Sequence, residues 1–379
     1  MKIGILTLVP YDNYGGILQG YALQTTLERM GHEPYIMRTK LYNYVPPKAK
    51  IKSIIRWHVR HDILHRKDIP AINTFKYLPY RVEKITPFIE KWIRFTRPFK
   101  STKDLFEYEE SNHFEGFVVG SDQTWRPLYS PDLYHMFCDF LPAESKKKRV
   151  AYAASFGVDT NPFNDEQLKV CRQLIQRFDA VAVREESGVK LCKDLFNVDA
   201  RHVLDPTMLL DKKDYLQLID GYTPVNKNID LMQYVFFFQH DETAIIEKVG
   251  NILGMKPVNL MTEKFLHEIK DKAELPMAQF YPVEEWLYGY SHSKFVITDS
   301  FHGTVFCIIF NVPFLVVSPE ASTRQKSLLK MFGLSDRLVM TKEEVTSELI
   351  NKEIDWDSVN RRREELKKQS IQYLQDSLK

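Results

Sequence analysis

Between Lys294 and Val317 the chain reads KFVITDSFHGTVFCIIFNVPFLVV. A short apolar run, a polar knot from Thr298 to Thr304, an apolar segment of helical length and a second apolar run follow in direct succession. Strands joined through a helix pair in parallel, because a parallel pair needs a crossover where an antiparallel pair needs only a tight turn. Strands with no polar face are those covered on both sides. The stretch therefore demands a parallel sheet between helical layers, and it raises the question of why Asp299 and His302 sit at the seam.

The same alternation recurs along the chain. KIGILTL, a helix through Gly16, Gly20, Leu23, Leu27 and Met30, and EPYIMR form a β-α-β unit whose helix ends at Gly31. The pattern loosens from about 43 to 110. There, residues 46–68 pack seven Lys/Arg and two Asp into a helical stretch with an apolar edge of Ile51, Ile54, Ile55, Val59, Ile63 and Leu64. This is either a solvated surface helix or a basic surface for an anionic acceptor or lipid headgroups. Order returns with FEGFVVGSDQTW, KKRVAYAASFG, a helix over 165–177, DAVAVR, the helix EESGVKLCKDLF and ARHVLDPTMLL. A second α/β series begins near 213, after a boundary at 210–228, and the amphipathic tail from Trp356 closes the chain. The expected architecture is α/β: two doubly wound domains facing a cleft, 1–210 and 211–350, with a C-terminal helix, 351–379, packing across both.

Composition narrows the function. A net charge of +2 over 379 residues gives no electrostatic case for nucleic acid. Cys138, Cys171, Cys192 and Cys307 lack CxxC spacing and read as reduced core thiols. No apolar run reaches the roughly 18–20 residues of a membrane span, so a soluble cytoplasmic protein is expected, with peripheral contact at the inner face of the membrane open. No carboxylate pair has clear metal-ligand spacing, so neither a metal nor a cofactor is required.

Ligands of such folds sit beyond the carboxyl ends of the strands. Asp299 to His302 occupy that place after FVIT, and the helix starting near His302 or Gly303 turns free N–H groups into the crevice. A helix N-terminus disfavours imidazolium, so His302 reads as a neutral proton acceptor or relay. Asp299 or Ser300 caps this helix or joins the chemistry. After the first strand, Asn13, Tyr14, Gly15, Gly16 and Gln19 occupy the equivalent position. The glycines serve close packing or ligand approach, but they lack the GxGxxG spacing of a dinucleotide site. Ser121, Asp122 and Gln123 bind hydroxyls or cap a turn. Arg184 pairs with Glu185 and Glu186 or offers a fork to a carboxylate or phosphate. Arg324, Lys326 and Lys330 add cations downstream, Lys330 being the solvated one. Together these residues suggest a small polyanion held by arginine and a helix N-terminus, with His302 moving the proton.

The segments NYGGILQGYALQ, VVGSDQTWRP, AYAASFG, VREESG, VLDPTMLL and EEWLYGYSHSKFVITDSFHGTVFCIIFNVPF occur in the order found in the polysaccharide pyruvyl transferase family, which the chain resembles over nearly its whole length. The resemblance implies two Rossmann-like domains in a GT-B-like arrangement and phosphoenolpyruvate as donor. It implies a sugar of a surface polysaccharide, or of its lipid-linked precursor, as acceptor, and a pyruvate ketal as product. It implies His302 as acid/base, with Asp299 orienting it or capping the helix. Arg184 maps to the family's strand-end arginine, and Arg324 or Lys326 to its downstream cation, on a donor side with Ser300, Gly303 and Thr304. Asn13, Tyr14, Gly15, Gly16, Gln19, Ser121, Asp122 and Gln123 fall on the acceptor side. Members with an R-L-H triplet carry an arginine before the histidine where this chain has Ser300-Phe301-His302, which leaves the donor in need of another cation. The competing readings are a nucleotide-sugar glycosyltransferase of the same architecture and a non-catalytic carbohydrate-binding relative.

Overall fold

The computed structural model describes residues 1–8, 11–39, 47–63, 72–130, 132–236, 242–318 and 323–379. They form two sheets, parallel throughout. The first contains β1 (Lys2–Leu6), β2 (Glu33–Arg38), β3 (Phe95–Pro98), β4 (Gly116–Val119), β5 (Lys148–Ala154), β6 (Ala180–Val183) and β7 (Arg201–His202), in the order β3-β2-β1-β4-β5-β6-β7. The second contains β8 (Leu231–Tyr234), β9 (Pro257–Asn259), β10 (Phe295–Thr298), β11 (Phe314–Val317) and β12 (Leu338–Val339), in the order β12-β11-β10-β8-β9. Each order reverses direction once, between β1 and β4 and between β8 and β10, and each reversal opens a crevice at the carboxyl ends of the strands.

Local sequence accounts for the elements that frame these crevices. β4, β10 and β11 are buried at every position, as two-sided burial requires. Helix α1 (Tyr14–Arg29) begins where the Asn13 side chain accepts the Gly16 N–H (3.2 Å). It ends before Gly31, which takes φ +83°, a left-handed conformation that glycine adopts without Cβ strain.

The loosely patterned segment holds one strand that periodicity does not reveal. β3 is four residues long and ends in proline, which an edge strand tolerates. Tertiary contacts fix it: the buried Gln24 amide of α1 donates to the Trp92 carbonyl (3.2 Å) and accepts the Arg94 N–H (2.7 Å). The basic stretch forms helix α2 (Pro47–His58) and a π-helical turn, Val59–Ile63; Leu64 and the remainder of it to residue 68 lie outside the described residues. Helix α3 (Thr74–Arg81) follows.

The two halves interlock. Tyr14, from the start of α1, stacks on Trp286 (centroids 5.6 Å apart, planes at 22°) and meets Phe280 edge-on, so one apolar cluster runs through both halves. The C-terminal helix Trp356–Ser377 leaves the second sheet and returns to the first half. There Ser370 Oγ accepts the Leu204 N–H (3.0 Å), while Arg363 and Lys367 pair with Asp211 (3.4 and 2.5 Å). All four cysteines are free and buried.

Candidate functional site

The two crevices face one another, and His302 stands where they meet. It is the second residue of helix Phe301–Phe310, whose N-cap is Ser300: the Ser300 hydroxyl accepts the Gly303 N–H (3.2 Å), and Thr304 Oγ1 donates back to the Ser300 carbonyl (3.0 Å). Such a cap contributes about 1 kcal/mol to the helix start. From the other half, α1 arrives so closely that a Cβ built on Gly15 would lie 2.1 Å from His302 Nδ1. Only glycine lets that backbone reach the ring.

The other ring nitrogen faces Asp205. Nε2 of His302 lies 3.5 Å from Asp205 Oδ2, at 6% and 2% residue exposure respectively, and makes no hydrogen bond among the described residues. The same carboxylate oxygen accepts from Ser121 Oγ (2.7 Å) and from Arg184 Nη1 (2.9 Å). Oδ1 accepts the Thr207 N–H (3.0 Å) and hydroxyl (2.6 Å). Burial alone would raise the Asp205 carboxyl, but His302, Arg184 and Thr207 together hold it well below the usual carboxylate range. The Asp205 carboxylate is thus held in its ionised form beside the imidazole.

Arg184 is 3% exposed and ringed by acceptors. Besides Asp205 it reaches Ser121 Oγ (3.0 Å) and Asp122 Oδ1 (3.4 Å), and its Nε lies 4.0 Å from the buried Glu185 carboxylate. Burial would lower its pKa; the carboxylates, Asp205 first, raise it above the ordinary arginine value. Breaking a buried pair of this kind costs on the order of 3–5 kcal/mol, because the surviving charge stays buried. Arg184 is therefore no surface arginine paired with Glu185 and Glu186: its fork is taken by Asp205, Ser121 and Asp122, with the Glu185 carboxylate beside it. Glu186 instead pairs with exposed Lys330 (2.9 Å).

Arg324 is the contrasting cation. Among the described residues no carboxylate is in ion-pair contact with it and its buried Nε lacks an acceptor; Arg184 and Arg126 lie near it, their repulsion partly offset by Glu185 and Asp122. Burial, then the Arg184 charge, lower its pKa to about 10. The Phe301 ring lies beneath both arginines, 4.5 Å from Arg184 Cζ and 6.0 Å from Arg324 Cζ, and meets His302 edge-on (5.2 Å). A cation over a ring gains about 0.5–2 kcal/mol. Phe301, unexplained in the sequence, is thus a shared platform for two guanidinium groups.

The remaining expected residues divide. Ser121 and Asp122 join the cluster; Asp122 has φ +78°, steadied as Oδ1 accepts the Gln123 N–H (2.9 Å), and the neighbouring β5 residue Ala153 has φ +58°. Strained backbone of this kind gathers at sites that the surrounding structure over-determines. Gly16 faces Asp122, its notional Cβ 3.7 Å from Oδ2, and Asn13 is the α1 cap. Gln123 Oε1 accepts from Arg126 (2.7 Å). Gln19 is buried, its amide donating to Thr7 Oγ1 (2.8 Å) and the Gly16 carbonyl (3.1 Å), with Oε1 left without a partner. Lys326 is exposed, whereas Arg324 joins Arg184 at the Phe301 ring.

Two expectations are corrected. Tyr14 does not face a ligand, since its hydroxyl donates to the Tyr281 carbonyl (2.8 Å) and its ring is buried against Trp286. Asp299 holds neither of the places foreseen for it. Its carboxylate accepts the Phe236 N–H (2.8 and 2.9 Å), joining the ends of β8 and β10, while Ser300 caps the helix and Asp205 faces His302. Asp205 was legible only as an acidic residue between a strand end and Pro206; its partners come from three distant segments.

Comparisons with known proteins bear on the family and the fold. A family model described as polysaccharide pyruvyl transferase matches residues 13–320. A putative UDP-N-acetylglucosamine 2-epimerase from Listeria monocytogenes aligns with a TM-score of 0.51 at 10% identity, over 96% of this chain and 90% of that one. The S. aureus MnaA–UDP co-structure aligns with a TM-score of 0.49 at 13% identity, over 93% and 88%. At such identity the Listeria likeness shows the fold alone: two Rossmann-like α/β halves in a GT-B-like arrangement. No curated protein matches the chain in sequence.

Proposed function

The chain belongs to the polysaccharide pyruvyl transferase family, and on that premise we propose that it transfers the enolpyruvyl group of phosphoenolpyruvate to two hydroxyls of one sugar in a surface polysaccharide or its lipid-linked precursor. The observation that carries this reading is Arg324: a cation held in a crevice beside Arg184, with no carboxylate in ion-pair contact among the described residues and its Nε without an acceptor there. Such a place favours a polyanion, and phosphoenolpyruvate brings a carboxylate and a phosphate to it. The first N–H groups of the His302 helix add their dipole.

The chemistry follows from the residues around it. His302 delivers a proton to the methylene carbon, making a methyl group and an oxocarbenium-like centre at C2. A sugar hydroxyl attacks C2, and neutral His302 takes its proton. The second hydroxyl then forms the other C–O bond as the bond from C2 to the phosphate oxygen breaks. The two hydroxyl protons end on the new methyl group and on the departing phosphate, and the enzyme ends as it began. Asp205 faces the imidazole throughout and stays ionised; Arg184 and Arg324 stabilise the charge that gathers on phosphate. Ser121 and Asp122 hold Arg184 on the half that also carries Asn13 and Gly16, and we place the acceptor sugar along that half. Nothing in this scheme calls for a metal or a cofactor.

Phosphate release from phosphoenolpyruvate with lipid-linked saccharide extracts tests the reaction. We expect release by the parent, its loss in His302→Ala, and a pyruvate-sized mass increase on the saccharide. Thermal stabilisation by nucleotide sugars with none by phosphoenolpyruvate would instead support a glycosyltransferase. Stabilisation by saccharide alone, with no phosphate release, would support a carbohydrate-binding relative.

A further inference from the structure

Helix α2 is turned the wrong way round for a surface helix in water. Ile54 and Trp57 are half-buried, yet Ile51 (57% exposed), Ile55 (58%), Val59 (39%) and Ile63 (68%) face outward. A solvent-facing side normally carries the polar residues. At 3.6 residues per turn, each step of four advances the stripe by about 40°. The π-helical turn Val59–Ile63, with about 4.4 residues per turn, swings Ile63 back toward the line of Ile51 and Ile55. The four aliphatic side chains thus share one exposed face about 18 Å long.

Charge identifies what that face meets. Residues 47–63 hold Lys48, Lys50, Lys52, Arg56 and Arg60 against Asp62 alone, whereas the whole chain carries +2. Arg56 and Arg60 are exposed and each follows a stripe residue by one position, which sets them along its flank. A second copy of the helix would bring like charges together. Among the described residues no helix is long and apolar enough to cross a membrane, so the arrangement is that of a helix lying in an interface, aliphatic face down and cations at headgroup level.

We propose that α2 and its π-helical turn dock the protein on an anionic lipid bilayer. The place of α2 in the fold gives the contact a purpose. α2 packs on α3, and Arg81 at the end of α3 pairs with Asp12 (3.5 Å) and lies over the Phe280 ring (4.5 Å). Asp12 directly precedes the α1 cap, and α1 carries Gly15 to His302. The docking helix is thus joined through α3 to the residue before the α1 cap, and an acceptor on a lipid carrier would enter from that side. That purpose rests on the proposed function; the docking does not, and it is measured without any reaction.

Co-sedimentation of the full chain with phosphatidylcholine vesicles, with and without phosphatidylglycerol, decides the matter. Binding is expected only with phosphatidylglycerol and falls as salt is raised. Arg56→Ala/Arg60→Ala should weaken it about 25-fold, at about five-fold for each cation removed. Ile55→Ser/Ile63→Ser should weaken it on the order of 100-fold. Both variants alter exposed side chains, so melting temperature and gel-filtration volume should stay at parent values. No binding to anionic vesicles by the parent would overturn the proposal, as would binding that neither variant changes. A parent dimer that Ile55→Ser/Ile63→Ser turns into a monomer would assign the face to a second copy.

Discussion

Replacing Gly15 by alanine separates the positioning of His302 from the stability of the fold. The added Cβ would lie 2.1 Å from Nδ1, 2.4 Å from Cγ and 2.7 Å from Cβ of His302, whereas ordinary contact begins at 3.4 Å. Either the ring or the start of α1 must give by about 1.3 Å, the difference between the last of these distances and the first. Two stability terms oppose each other. Overpacking of this size costs about 1–3 kcal/mol, while alanine in a helix gains about 1 kcal/mol over glycine. The net loss is at most about 2 kcal/mol, a few degrees in melting temperature for halves of this size. The catalytic loss is larger, because an error of about 1 Å in a reacting group costs on the order of 100-fold. Phosphate release should therefore fall about 100-fold or more, while stabilisation by phosphoenolpyruvate, which depends on the arginines, changes by only a few-fold. A parent-like rate would refute the reasoning that backbone contact at Gly15 sets the His302 ring. A collapse of the fold would show that the contact serves folding and not positioning.

Asp205→Asn should lower turnover on the order of 100-fold or more and destabilise the protein by about 3 kcal/mol in urea unfolding, since Arg184 loses its nearest carboxylate (2.9 Å). Stabilisation by phosphoenolpyruvate should be lost in Arg324→Ala and persist in Lys326→Ala, read by thermal shift. It should also fall as pH rises through about 10, where Arg324 loses its proton. Arg324→Lys should move that fall to lower pH, because an ammonium starts nearer 10.4. In the ligand-free protein the sign is opposite: the native state sheds this proton before the unfolded chain does, so the linked stability term rises with pH above about 10. Burial pushes the Cys171 and Cys192 thiols up to about 12, so a thiol reagent should label none of the four cysteines until the chain unfolds.

The strained residues and the platform ring say how the site is kept in shape. Asp122 and Ala153 adopt left-handed backbone beside one another, and β5 shifts register between Ala151 and Ala154. This re-aims the strand ends toward Arg184. Phe301 gives both guanidinium groups an apolar seat that competes with neither anion nor carboxylate. An arginine crowded against these two would instead raise the cationic repulsion that already lowers the pKa of Arg324.

By itself the sequence determined what depends on near neighbours. Apolar runs of strand length between amphipathic helices dictate a parallel sheet, and Gly31 ends its helix. FVIT followed by a polar knot puts His302 at a strand end and a helix start, and the aliphatic and basic residues of α2 are written in 51–63, while the outward turn of the aliphatic ones came from the fold. What required tertiary structure was every pairing across a long separation. Asp205 meets His302 97 positions away; Gly15 touches the same ring from the other half; Gln24 holds the backbone that leads into β3. Asp299 shows the difference most sharply. Its place in the motif suggests chemistry, yet the Phe236 N–H at the neighbouring strand end claims its carboxylate. A side chain three positions from the histidine points wherever the helix start turns it, and the residue that faces the ring is chosen by how two sheets close on each other.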